Sequence, residues 1–158
     1  MFKVGDRIVH PLHGAGVIDS IEEKRISGVV RSYYIMKLPS GGMVVMIPTD
    51  SCEAIGVREV MSKEEAEAVL AAIPDLDADM TNNWSRRYRE NMLRIKSGDL
   101  YEVAAVVKGL MIREAAKGLS TGERKMLYQA KQILISEIVL AEDVTYEEVE
   151  SRLNSAMG

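Results

Sequence analysis

The strongest chemical signal in the sequence is its single tryptophan, Trp84, which stands just before a basic run. Arg86, Arg87 and Arg89 follow it closely. An aromatic ring beside arginines suits a nucleic acid, because the ring can wedge between bases while the guanidinium groups bind phosphates. The bland alternative is that Trp84 ends the apolar stripe of a helix and is a core residue. The sequence leaves both interpretations open.

A second basic pair, Arg124 and Lys125, opens a later helix. Cations oppose the helix dipole at that end, so the pair favours an anionic partner over an ordinary solvated turn. The net charge is −4, but residues 81–98 carry five basic and one acidic side chain. Because salt screens distant charges, a partner responds to this local patch more than to the total. The alternative is that successive helices simply alternate in charge.

Other residues with chemical potential lack the partners that a reaction needs. His10 and His13 flank a turn without nearby cysteine or carboxylate ligands, which favours a structural role over a metal site. Gly14-Ala15-Gly16 is followed by Asp19 and a β-type run, unlike a dinucleotide-binding loop. Cys52 has no neighbouring base and is typical of packing. We therefore expect a binding protein without catalytic residues, metal or cofactor.

The elements that position these residues fall into two modules. Residues 1–60 contain short strand-type runs separated by turns, with a strong turn signal at Pro-Ser-Gly-Gly (39–42) and Pro48 ending the last run. This pattern predicts a small, partly open barrel of the SH3 or Tudor type. The predicted strands span residues 7–10, 15–26, 32–38 and 43–47.

From residue 61 the pattern becomes helical. Each predicted helix begins at a capping residue, and capping boxes occur at Ser62, Ser120 and Thr145. The sequence therefore predicts an α+β protein with domains at 1–60 and 61–158, the second made of five helices. We expect few contacts between the domains. The predicted helices span residues 62–73, 83–96, 99–117, 120–141 and 145–156.

The composition of the chain bears on its cellular location and oligomeric state. Residue 52 is its single cysteine, no apolar run is long enough to cross a bilayer, and the N-terminus lacks a signal-peptide pattern. These features favour a cytoplasmic protein without a membrane role. Nothing in the sequence requires a dimer, so we expect a monomer.

Three segments resemble the CarD/CdnL family of bacterial transcription regulators, and the resemblance spans roughly residues 1–142. The tail after Glu142 matches poorly, and we assign it no role. The segments are Phe2-Lys3-Val4-Gly5-Asp6 with Val9-His10-Pro11 and His13-Gly14; Asn83-Trp84-Ser85-Arg86-Arg87-Tyr88; and Gly118-Leu119-Ser120 with Gly122-Glu123, Met126-Leu127, Ala130 and Gln132-Ile133-Leu134.

The resemblance implies a function for each module. The Tudor-like module would bind the β subunit of RNA polymerase, and Met46 stands where a basic residue can occur in the family. The helical module would touch promoter DNA just upstream of the melted −10 region, where Trp84 would wedge at the edge of the bubble and slow its collapse. The implied polymerase contacts are Lys24, Arg25, Val45, Met46, Ile47 and Pro48; the implied DNA contacts are Trp84, Arg86, Arg87, Arg89, Arg124 and Lys125.

Two functions from different classes stay open at this point. The first is a polymerase-bound transcription factor that stabilises the open complex without sequence-specific base readout. The second is a protein–protein adaptor that uses a β edge and has no direct role at DNA. DNA binding with and without Trp84 distinguishes them, since the adaptor predicts no difference.

Overall fold

The computed structural model describes residues 1–39 and 42–157 of the chain. The four predicted strands are confirmed to within a few residues, and a fifth, too short to show in the sequence, follows a one-turn helix. The predicted turn at 39–42 lies partly outside the described residues. The strands are β1 (Arg7–His10), β2 (Gly14–Ile26), β3 (Val29–Lys37), β4 (Val44–Pro48) and β5 (Arg58–Glu59).

The strands form one antiparallel sheet in the order β4-β3-β2-β1-β5. A meander of four strands whose fifth member returns to the first is the SH3- or Tudor-like topology that the sequence predicts. An irregularity between Ile18 and Ser20 interrupts the register of β2 against β3. One face of the sheet encloses a small core of Ile8, Ile18, Tyr34, Met36, Ile47, Cys52 and Val57.

Six α-helices occur in the described residues, not five, because the one-turn helix α1 lies inside the first module. The predicted helix ends agree with the structure to within about one residue, since capping is a local signal. Ser62 forms the predicted capping box with Glu65. The helices are α1 (Cys52–Ile55), α2 (Lys63–Ala72), α3 (Trp84–Lys96), α4 (Leu100–Ala116), α5 (Thr121–Glu142) and α6 (Tyr146–Met157), with a 3-10 turn at Ile73–Asp75.

Helix α5 is the spine of the second module. It packs against α2, α3, α4 and α6, and most of its apolar side chains are buried in a core that these helices share. At 22 residues it is about 33 Å long. One element therefore reaches from one end of the bundle to the other. None of the helices in the described ranges is long and apolar enough to cross a membrane.

The prediction of few contacts between the modules is wrong, because β2 packs directly on α5. Gly14 has φ +96°, and a β-carbon there would lie 2.5 Å from the Ser136 hydroxyl and 3.2 Å from the backbone of Ile133. Only glycine allows this approach. The Ala15 amide then donates to the Ser136 hydroxyl oxygen over 2.9 Å. The strand and the helix are therefore in close backbone contact.

A partly buried charge pair spans the same interface. Arg58 of β5 donates to both carboxylate oxygens of Glu137 on α5, at 2.6 and 2.7 Å. The amide of Met61 also donates to Glu137, which has no exposed surface. Arg7 of β1 contacts the Leu140 carbonyl and Asp143 near the end of α5. Such long-range contacts are invisible to local sequence patterns, which is why the prediction failed.

Candidate nucleic-acid interface

Trp84 begins α3 at the edge of the bundle. The side chain of Asn83 accepts from the Arg86 amide and caps the helix. At about 100° per residue, Trp84 lies roughly 20° from the buried Ile95, so it points to the same side as the core. Yet 47% of its surface is exposed, because the bundle ends at this turn. Trp84 is therefore the exposed end of the apolar stripe.

Contacts with two neighbours fix the indole ring. The ring stacks on Tyr88, with 5.3 Å between the ring centroids and 24° between their planes. Its Nε1–H donates to the hydroxyl oxygen of Ser120 over 3.0 Å. Ser120 is the N-cap of α5, so Trp84 joins the N-termini of two helices. The sequence predicts Ser120 as a cap, but nothing in it pairs that cap with the tryptophan.

The predicted phosphate contact at Arg87 does not fit its position. Arg87 is 3% exposed, and its Nε and Nη2 donate to Glu123 of α5 at 2.7 and 3.1 Å. The pair lies inside the bundle. Hydrogen bonds from Arg87 hold the pKa of Glu123 below its ordinary value, against the opposing effect of burial. Arg87 is therefore a packing residue between α3 and α5 in this structure.

Arg86 and Arg89 lie on the outer side of α3. The Nε of Arg86 donates to Glu90 over 2.8 Å, in an exposed pair one turn apart. Exposed pairs of this kind contribute little stability, so a phosphate can displace Glu90 at small cost. Arg89 is exposed and forms no ion pair with any residue of the described ranges. Both arginines are available to an anionic partner.

Arg124 and Lys125 lie in the first turns of α5, at the end where Ser120 contacts Trp84. Four residues of helix span about 6 Å, so this basic pair is close to the tryptophan. Arg124 has one loose partner, Glu114 at 3.6 Å, and both basic residues are exposed. The N-termini of α3 and α5, the positive ends of both helices, meet at the contact between Trp84 and Ser120, which also favours an anion.

A second candidate surface is the outer edge of β4, where the sheet ends. Leu38 donates to Met43 and Thr49 donates to Ser32, so the bonded pairs on β3 and β4 fall at alternate residues between these two bonds. By this alternation Val45 and Ile47 face β3. Val44 and Met46 turn their amides to the open edge, and Pro48, the third outward position, has no amide to donate.

Side chains near this edge are apolar and basic. Val44 and Met46 are 46% and 42% exposed, whereas Ile47 is buried and offers no side chain to a partner. Lys24 and Arg25 lie near the tip of the long β2–β3 hairpin, and Lys24 pairs with Glu22 at 3.0 Å. The predicted polymerase residues thus fall on two places of one sheet: its free edge and its hairpin tip.

The histidines form a contact of their own at the β1–β2 turn. The rings of His10 and His13 lie 4.5 Å apart, and His10 Nδ1 accepts from the Leu12 amide over 3.1 Å. Burial, and then the neighbouring His13, lower the pKa of His10. Within the ranges that the structure describes, no three metal-ligating side chains cluster.

Family models match both modules of the chain. The C-terminal domain of CarD matches residues 68–154, and the CarD-like/TRCF RID domain matches residues 2–61. The "Putative transcription factor YdeB" of Bacillus subtilis (strain 168) is 35% identical over 151 residues, covering 96% of this chain and 99% of its own. The chain belongs to the CarD family.

CarD-family membership gives the two surfaces their context. The family consists of non-enzymatic, transcription-associated factors that interact with RNA polymerase, and its RID domain is the module that binds the polymerase β subunit. The solution NMR structure of the 72-residue N-terminal domain of Myxococcus xanthus CarD is 36% identical; the match covers 37% of this chain and 79% of that chain, with a TM-score of 0.33.

Proposed function

We propose that this CarD-family protein holds the RNA polymerase β subunit with the edge of β4 and contacts promoter DNA with the N-terminal ends of α3 and α5. Trp84 wedges at the upstream edge of the −10 bubble and slows its collapse. Arg86, Arg89, Arg124 and Lys125 bind backbone phosphates without reading the base sequence. Arg87 is left out of this set because it is buried.

One observation carries the proposal: Trp84 is half exposed yet firmly held. A large aromatic surface at the edge of a bundle, between two helix N-termini, gains nothing for folding by remaining in water. Against a base it gains stacking, which is worth about 1–3 kcal/mol. The nearby cations supply the phosphate contacts that place an aromatic wedge on a duplex.

The β4 edge supports the polymerase half of the proposal. An unpaired edge offers amides and carbonyls that a partner strand can satisfy. The exposed Val44 and Met46 add apolar contacts along that edge. Lys24 and Arg25, at the hairpin tip, can pair with acidic residues of the partner.

The central test replaces Trp84 by alanine. Because the ring is half exposed, we expect the free energy of unfolding to fall by about 1–2 kcal/mol, less than the 3–5 kcal/mol of a fully buried aromatic. The open-complex lifetime should shorten about five- to 160-fold, the equivalent of about 1–3 kcal/mol of lost base stacking. Thermal melting and the lifetime are measured on the same preparations. Leu93→Ala, at a 65% exposed site on the same helix, serves as the control and should change neither.

An unchanged lifetime in folded Trp84→Ala would refute the wedge and favour a protein–protein adaptor. Arg89→Gln adds a second criterion. It should weaken binding to any DNA sequence. The slope of log binding constant against log salt concentration should also fall in magnitude by about one, because a phosphate contact is lost.

The polymerase edge is tested by Met46→Pro against Met46→Ala. Both variants lose the side chain, but only proline also removes the outward amide. We expect Met46→Pro to bind the β subunit about three- to tenfold more weakly than Met46→Ala, the equivalent of one hydrogen bond. Equal affinities of two folded variants would exclude strand addition at this edge.

A further inference from the structure

The surroundings of Trp84 point to a role for residues outside the proposed set of DNA contacts. We infer that Ser120 is a positioning residue for the tryptophan, held in place by Glu123 and Arg87. The expected effect of Ser120 on the open complex rests on the wedge function proposed above. The expected effect on the free protein, a fixed orientation of the indole ring, does not depend on that function.

Ser120 combines two tasks in one hydroxyl group. Its oxygen accepts from the Trp84 Nε1–H over 3.0 Å and from the Glu123 amide over 3.2 Å, where it caps α5. Its own proton points to the Glu123 carboxylate, with 3.3 Å between the oxygens. The hydroxyl therefore has defined partners for both its lone pairs and its proton. That arrangement fixes the direction from which the indole must approach.

Arg87 extends this arrangement to the other side of the tryptophan. Its guanidinium binds Glu123 and also donates from Nη1 to the carbonyls of Thr81 and Asn82, both at 3.2 Å. These two residues lie three and two positions before Trp84, in the segment that leads into α3. One buried arginine thus ties the start of α3 to the start of α5. These contacts of Arg87 set the distance between the starts of α3 and α5, which the indole ring bridges.

The stacking contact with Tyr88 restrains one face of the ring, while 47% of the surface of Trp84 stays exposed. Without the hydrogen bond to Ser120, the ring could turn about its side-chain torsions while keeping part of that stacking. A ring that must first be ordered binds more weakly, because ordering a side chain costs entropy on association. Pre-orientation by Ser120 removes this cost before DNA arrives.

The experiment compares Ser120→Ala with Ser62→Ala in the full chain. Both remove a serine N-cap that is followed by glutamate at the third position, but only Ser120 touches Trp84. Because the chain has one tryptophan, its indole N–H gives a single NMR resonance, whose hydrogen exchange reports on this bond. We expect exchange to accelerate at least threefold in Ser120→Ala and to stay at the wild-type rate in Ser62→Ala. Ser120→Thr, which keeps the hydroxyl, should restore protection.

The second readout is the lifetime of the open complex. We expect Ser120→Ala to shorten it about two- to tenfold, as for one side chain that must be ordered on binding. Ser62→Ala should leave it unchanged at a similar melting temperature. Glu123→Gln, which weakens the contacts of this side chain with Arg87 and Ser120, should shift both readouts in the same direction by less.

Three results would overturn the inference. The first is wild-type indole exchange in Ser120→Ala, and the second is equal lifetimes in Ser120→Ala and wild type while Trp84→Ala shortens the lifetime. The third is an equally shortened lifetime in Ser62→Ala, which would assign the effect to lost helix capping. If Trp84→Ala itself leaves the lifetime unchanged, the wedge function fails, and the exchange rates still decide whether Ser120 positions the ring.

Discussion

Each end of α5 carries a buried glutamate paired with an arginine, and the two pairs join different parts of the molecule. Near its start, Glu123 binds Arg87 of α3; near its end, Glu137 binds Arg58 of β5. Each glutamate is buried and accepts two hydrogen bonds from its arginine, from Nε and Nη2 of Arg87 and from Nη1 and Nη2 of Arg58. The first pair joins two helices of one module beside a half-exposed tryptophan. The second joins the two modules.

The two pairs differ in how completely water is excluded. Arg87 and Glu123 are 3% and 2% exposed, whereas the Arg58 side chain keeps 35% of its surface beside the fully buried Glu137. Water can therefore still reach Arg58 if its partner is lost, but Glu123 has no such relief. The arginine three residues after the tryptophan is thus the less accessible of the two arginines.

The largest effect is expected where burial is most complete. Arg87→Met leaves the Glu123 carboxylate buried and unpaired, which should lower the free energy of unfolding by about 3–5 kcal/mol. Arg86→Met, one residue away, removes an exposed pair and should cost about 0.5 kcal/mol or less. Urea unfolding of both variants measures the contrast. Similar stabilities, with a weakened salt dependence of DNA binding in Arg87→Met, would return Arg87 to the DNA-contact set.

A smaller effect is expected at the other pair. Glu137→Leu should lower the free energy of unfolding by about 2–4 kcal/mol, because Arg58 keeps part of its hydration. Adding Arg58→Met should recover some of this loss, since the unpaired charge is removed and apolar groups meet. The double-mutant cycle gives the coupling directly. Additive losses in the two single variants would show that the pair does not hold the modules together.

The smallest expected effect is a pH dependence that separates the wild type from Glu123→Gln. Arg87 lowers the pKa of Glu123 in the folded state below its ordinary value of 4.5. The resulting stability is fully present above about pH 4.5 and is lost as pH falls through the lower folded pKa. Wild-type stability should therefore decline more steeply on acidification than that of Glu123→Gln. Parallel curves between pH 6 and 3 would contradict this.

Local chemistry explains how much of the fold the sequence predicts. Serine caps at 62 and 120 mark helix starts to within a residue, because their hydrogen bonds involve only the next turn. The strand β5 and helix α1 are too short for periodicity to show. The burial of Arg87 depends on Glu123, 36 residues away. Its spacing from the buried Asn91 and Ile95, four and eight residues on, was the available signal.

Features of the site that depend on local sequence can be predicted, and features that depend on long-range contacts cannot. The tryptophan, the outer arginines and the β4 edge are visible as residue types in local patterns. The docking of the two modules cannot be seen in the sequence. Its contacts, between the Gly14 turn and Ser136 and between Arg58 and Glu137, join residues more than 75 positions apart. A glycine in a turn and a glutamate in a helix each have an ordinary local explanation.

The packing of β2 on α5 has a consequence for how the two proposed binding surfaces would act together. When a flexible linker joins two binding sites, the second site samples a volume around the first. Its effective concentration falls as the linker lengthens. Here Gly14, Ser136 and Glu137 replace the linker by a direct contact. Once the sheet edge is engaged, Trp84 has little volume to search. The spacing between the sheet and Trp84 is then fixed by the packing of β2 on α5, without a flexible linker between them.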